Sequence, residues 1–182
     1  MSTNTEFDNN PYAAPKSDET PSIHKSEDSG PKGLGGWLIV VAIGLVVSCI
    51  RIPVESWQIF GSILSDGSWE VLTTPGTEYY HPLWGPFLIF EMLGNALTVL
   101  MGMVALYLFF TKSKRFPKWY IWYLSINVGF LLLDSMLGNL IPAVRDAADS
   151  GAMKELFRSI VSAAIWIPYM KISKRVRNTF VQ

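Results

Sequence analysis

The chain has 182 residues, a formal net charge of zero, and a composition that is 49% hydrophobic and 16% charged. An ordinary soluble domain carries about 25% charged residues, so the totals point away from one and leave room for a single domain with a tail. A lone cysteine, Cys49, excludes an internal disulfide, and no Cys or His pair has metal-ligand spacing.

Residues 1–32 read as a disordered cytoplasmic tail. They are rich in Ser, Thr, Asn, Pro and charged residues and almost free of bulky apolar ones, so they cannot bury enough surface to offset ordering entropy. Within them, Asn10-Pro11-Tyr12-Ala13-Ala14-Pro15 is a candidate docking segment, with a solvated leader as the plainer reading. Residues 33–182 read as a transmembrane domain with helices at about 34–53, 84–111, 117–141 and 152–172.

The first apolar run opens at Gly33-Leu34-Gly35-Gly36-Trp37 and reaches Ile52-Pro53. A mixed-charge tail precedes it and no Ala-x-Ala-like site follows, which argues against a signal peptide. Val46-Val47-Ser48-Cys49 has the form of a lipoprotein cleavage box, but Cys49 lies far from the start and Arg51 follows it closely. An uncleaved first helix is the expectation. Past Pro53, Val54, Trp57, Phe60 or Gly61, and Leu64 recur at helical spacing, predicting a short amphipathic continuation. Asp66-Gly67-Ser68 and Thr74-Pro75-Gly76 are turn signals, and Trp69, Tyr79, Tyr80 and Trp84 suit an interfacial belt.

Phe87–Phe110 is 24 residues with Glu91 as its only charge, and Trp119–Ile141 carries only Asp134. About 20 apolar residues cross the roughly 30 Å hydrocarbon core as a helix, so both read as spans. Pro117 suits a first helical turn, where its missing N–H is no loss. The fourth segment is the weakest on hydropathy, because Ser159–Met170 is charge-free for only 12 residues.

Charge placement supports counting it. No Lys or Arg lies between Ile52 and Leu83, whereas the tail, the turn at Lys112–Lys118 and the C-terminus at Lys171–Arg177 together hold eleven. Cytoplasmic segments carry the excess of Lys and Arg. Both basic ends lie inside only with an even number of crossings. The expected architecture is therefore an all-α integral membrane four-helix bundle, N-in and C-in. The basic clusters flank membrane segments, and this orientation signal explains them more simply than a nucleic-acid partner.

Each predicted span also carries one ionisable residue. At about 1.5 Å per helical residue, Arg51, Glu91, Asp134 and Arg158 all fall roughly 20–31 Å from the inner edge. Small or polar residues share their faces: Gly44 and Ser48 with Arg51, Asn95, Thr98 and Gly102 with Glu91, Asn127 and Gly138 with Asp134, and Ser162 with Arg158. A lone charge at mid-bilayer costs roughly 2.5–3.5 kcal/mol or more, so these groups are expected to face the interior and pair, Arg to carboxylate. The candidate polar site is Arg51, Glu91, Asn95, Asn127, Asp134 and Arg158. Its functional reading is a substrate, ion or proton pathway opening outward. Its plainer reading is a neutral polar latch with Arg51 and Arg158 snorkelling.

Gly35-Gly36-Trp37-Leu38, Tyr80-His81-Pro82-Leu83-Trp84, Phe90-Glu91, Phe116-Pro117-Lys118-Trp119-Tyr120, Ile165-Trp166-Ile167-Pro168-Tyr169 and Ser173-Lys174-Arg175-Val176-Arg177-Asn178-Thr179-Phe180 follow one another in characteristic order and spacing. Together they resemble the domain of unknown function 2569 family of small bacterial inner-membrane proteins, over roughly Gly33–Val181. The resemblance implies a four-helix, multi-pass inner-membrane protein and brings no activity, ligand or catalytic residue.

An accessory or scaffold role, binding through helix faces, is favoured over a small transporter or proton pathway, because four helices are few for a repeat-type transporter. The expected partners are the lipid bilayer and a membrane-protein partner or further copies of the chain. An enzyme is the weakest reading: Ser48 and Cys49 have no neighbouring His in sequence to activate them. No catalytic, cofactor or metal site is expected.

Overall fold

The computed structural model describes residues 30, 32–147 and 150–182, and among these all regular structure is helical. The expected tail, 1–32, lies outside the described residues apart from Gly30 and Lys32. Helix α1 (Trp37–Ser65) runs 29 residues straight through Pro53, so the expected first span and its amphipathic continuation are one element. Proline removes one donor from the ladder, a loss that membrane helices absorb.

At the end of α1 the Asp66 backbone N–H donates to the Ser62 carbonyl at 3.0 Å, and the Ser68 N–H donates to Asp66 Oδ1 at 2.9 Å. Gly67, at φ 81, makes the reversal that starts α2 (Ser68–Thr73). The Ser68 hydroxyl and backbone N–H hold the exposed Asp66 carboxyl below the usual carboxylate range.

Helices α3 (Trp84–Phe110) and α4 (Phe116–Gly138) follow, with starts and ends within three residues of expectation. Then come α5 (Pro142–Ala147), α6 (Ser150–Ile172) and α7 (Lys174–Thr179). Among the described residues three helices, α1, α3 and α4, are long and apolar enough to cross a membrane. Helix α6 has 23 residues, but Lys154, Glu155 and Arg158 in its first half keep it outside that group.

The long helices pack in a chain of neighbours: α1 on α3, α3 on α4 and α4 on α6. Helices α1 and α6 meet through Trp37 and Trp166, whose ring centroids are 6.3 Å apart, and through Arg51 and Glu155. The principal core lies toward the Trp37 end. Leu38, Val41 and Leu45, spaced to share one face of α1, pack in one cluster with Ala105, Phe109, Phe116, Tyr120 and Met170. Phe116 stacks on Phe180 at 4.6 Å and packs edge-on against Phe109 at 5.1 Å.

Three chain segments converge at that end. Thr179 Oγ1 accepts from the Gly33 N–H at 3.0 Å and donates to the Gly33 carbonyl at 3.2 Å. The Lys114 N–H donates to the Gln182 carbonyl at 2.6 Å, tying the α3–α4 turn to the C-terminus. Arg175 packs over Gly35 and Gly36, where a β-carbon on Gly35 would sit 2.7 Å from its Nη1. Gly36 has φ 59, a left-handed backbone that favours glycine at the entry to α1. Ser173 caps α7, its Oγ accepting from the Val176 N–H at 3.4 Å.

Most large apolar side chains on the long helices face outward, Trp57 at 79% exposure among them. A surface so extensively apolar suits hydrocarbon rather than water.

Candidate functional site

Small residues let the helices come close around the site. On α3, Gly94 faces the Phe130 ring of α4, and Gly102 faces Cys49 of α1 with Sγ 3.0 Å from the place of a β-carbon. Thr98 is buried and donates its hydroxyl to the Gly94 carbonyl at 2.9 Å, so it spends its proton within α3. On the other side, Ser159 Oγ of α6 donates to Asn127 Oδ1 of α4 at 2.9 Å.

Between these contacts lies a cavity of about 480 Å³, walled by α1, α3, α4 and α6. All six residues of the sequence-derived polar site, Arg51, Glu91, Asn95, Asn127, Asp134 and Arg158, line it. Gly44, Ser48, Thr98 and Ser162 from the same faces line it too. Gly102 and Gly138 do not: Gly102 packs against Cys49 and Tyr123, and Gly138 against Val144 and Phe87.

The expected pairing of arginine with the membrane carboxylates needs correction. Arg51 Nε bonds Glu55 Oε1 at 3.0 Å, and its Nη2 bonds Glu155 Oε1 on α6. Glu55 wins because it lies one helical turn further along α1, the favourable i,i+4 spacing. Glu155 wins because the α6 register turns it toward α1. Arg158 forms no ion pair among the described residues. Glu91 and Asp134 interact with each other, side chain to side chain, across the α3–α4 interface. Asp134 Oδ1 is buried without a hydrogen-bond partner.

Among the described residues the cavity thus has an engaged ion-pair cluster of Arg51, Glu55 and Glu155, an arginine in no ion pair, and two carboxyls in no ion pair. The Arg51 pairs are partly open, with side-chain exposures of 39% for Arg51 and about half for each glutamate. Buried acceptors without donors are costly, so this geometry favours an occupant that brings donors or positive charge. Among the described residues no three His, Cys, Asp or Glu side chains are placed to hold a metal ion.

Sequence reasoning missed Glu55, Glu155 and Ser159. The first was legible as the i+4 partner of Arg51. Glu155 counted only as a charge that weakens the fourth span, because its role depends on where α6 lies against α1.

The sequence matches the family described as "Protein of unknown function (DUF2569)" over residues 31–181. It is similar to the inner membrane protein YdgK of Escherichia coli (strain K12), 25% identical over 151 residues that cover 83% of this chain and 95% of that protein. No solved structure matches.

Proposed function

We infer a role from the premise that this chain belongs to the DUF2569 family of proteins of unknown function, and we propose that it is a multi-pass inner-membrane protein offering a small solute or ion a polar pathway from the outer face. One observation carries the proposal: side chains from four helices, distant in sequence, converge on one cavity containing two carboxyls that form no ion pair among the described residues. Intramembrane ionisable groups are expensive and commonly mark such pathways. A latch alone would be better served by the Arg-to-carboxylate pairing that Glu91 and Asp134 lack.

In this proposal α6 is the fourth crossing and both termini are cytoplasmic. Support comes from the contacts that gather Gly33, the Lys112–Lys114 turn and Gln182 at one end, together with the basic residues concentrated there and absent between Ile52 and Leu83. The ion-pair cluster then lies toward the outer face. The role proposed is passage, not catalysis.

The test is flux in liposomes containing the purified full chain, for wild type, Glu91→Gln and Asp134→Asn. Flux that is present in wild type and lost in folded variants supports the pathway. Wild-type liposomes impermeable to protons, alkali cations and small amines, with a stable membrane partner recovered from native membranes, would instead support the accessory role. A reporter fused after Gln182 that signals from outside the cell would overturn the four-crossing arrangement.

A further inference from the structure

We propose that the cavity recognises a small zwitterion, a solute joining an ammonium group to a carboxylate, with the ammonium at Glu91 and Asp134 and the carboxylate at Arg158. This rests on the pathway reading above and adds the class of solute.

The charges on the wall sort into three sets. Arg51 is saturated, since Glu55 and Glu155 both bind it. Glu91 and Asp134 face each other, with Glu155 close enough to Asp134 to act on it as a like charge; neither forms an ion pair among the described residues, and Asp134 Oδ1 is buried with no hydrogen-bond donor there. Arg158 is the one remaining cation on the cavity wall and has no carboxylate within ion-pairing distance among the described residues. An acid pair and an exposed arginine, neither in an ion pair among the described residues, therefore face one half-open space.

Each simpler occupant leaves part of this arrangement unmet. A bare cation satisfies the acid pair and leaves Arg158 unopposed. A bare anion satisfies Arg158 but meets two carboxyls that no base neutralises. A zwitterion answers both, and it brings N–H donors to the buried oxygen. Charged donor–acceptor contacts of this kind are about twice as strong as neutral ones, and a guanidinium suits a carboxylate in bidentate fashion.

The neutral lining agrees with this division. Asn127 Oδ1 is occupied by Ser159 Oγ, so its Nδ2 donors remain for an acceptor on the solute. Asn95 and Ser162 line the same space, and Tyr120, Tyr123 and Trp166 supply aromatic wall. A volume of about 480 Å³ falls within the usual range for small-molecule sites. It exceeds what a bare ion needs, since a water molecule occupies only about 30 Å³.

The test is calorimetric titration of the full chain in lipid nanodiscs at neutral pH. The probes are glycine, β-alanine and 4-aminobutyrate, each compared with its two halves: methylamine and acetate, ethylamine and propionate, propylamine and butyrate. At least one zwitterion should bind about tenfold or more tighter than both of its halves, the gain expected from one charged contact. Arg158→Gln should abolish that preference, so that the zwitterion binds no better than its amine, and Arg158→Lys should restore part of it.

Amines that bind as tightly as their zwitterions in wild type would overturn the proposal while sparing the pathway. Carboxylates that bind more tightly than the zwitterions would overturn it too. Absence of binding by every probe, joined to absence of flux for all of them, would remove the pathway reading and this one with it. The wild-type comparison decides without any variant, so misfolding of Arg158→Gln does not protect the idea.

Discussion

The closeness of α3 and α4 is the sharpest physical claim about the walls of the cavity, and Gly94→Ala tests it. A β-carbon at position 94 would fall inside the Phe130 ring, with even the third-nearest atom, Cδ2, only 2.6 Å away. Phe90 packs against the ring with centroids 5.2 Å apart, so a ring that swings toward the cavity to relieve the clash gives up that contact. Forcing one methyl into such a site typically costs about 1–3 kcal/mol. Alanine returns up to about 1 kcal/mol through its better helix propensity. A net loss of roughly 1–2 kcal/mol is expected where an isolated helix would gain stability.

Gly129→Ala is the matched control, since nothing lies within 4 Å of its added β-carbon. It should be neutral or slightly stabilising. The assay is reversible unfolding of the full chain in mixed micelles as the denaturing detergent fraction rises. Phe130→Leu combined with Gly94→Ala should recover much of the loss, giving a coupling energy of about 0.5–3 kcal/mol in a double-mutant cycle. If Gly94→Ala and Gly129→Ala unfold at the same detergent fraction, the two helices are not this close and the shape of the cavity is wrong.

Other contacts make separate predictions. Thr179→Val removes both bonds to Gly33; amide exchange at Gly33 should accelerate, at a stability loss of about 1 kcal/mol, and unchanged exchange would break the link between the two ends of the domain. The Arg51–Glu155 pair is half exposed, so a double-mutant cycle with Arg51→Gln and Glu155→Gln should return no more than about 1 kcal/mol. At the end of α1, the Asp66 carboxyl is held below its unfolded value by Ser68. Its stabilisation is therefore fully present above the unfolded carboxylate range and is lost as pH falls through the lower folded value. The protection of the Ser68 amide, measured relative to its intrinsic exchange rate at each pH, should fall on acidification below the ordinary carboxylate range, and Asp66→Asn should flatten that response.

The comparison between sequence and structure is uneven, and the reasons are physical. The spans at Trp84–Phe110 and Phe116–Gly138 were legible to within three residues, because a lipid-embedded helix must satisfy its own backbone and be apolar for its whole length. The join at Pro53 was less legible. Proline weakens a helix locally, and only the surrounding packing shows whether the chain carries on through it. Residues from the polar stripes of four helices line one space; helical periodicity groups each stripe on its own helix. Gly102 and Gly138 depart: Gly102 packs against Cys49 and Tyr123, and at Gly138 the chain turns to enter α5.

Composition, periodicity and charge bias were enough to identify an all-helical membrane chain, because each of these is a local property of a helix in oil. Which acid holds which arginine was a different kind of question. Glu55 and Glu155 took Arg51, leaving Arg158 free and Glu91 beside Asp134, through the rotation of α6 and the close approach of α3 to α4 at Gly94. Charge pairing depends on separations of a few ångströms between helices, and no spacing along a single helix contains that information.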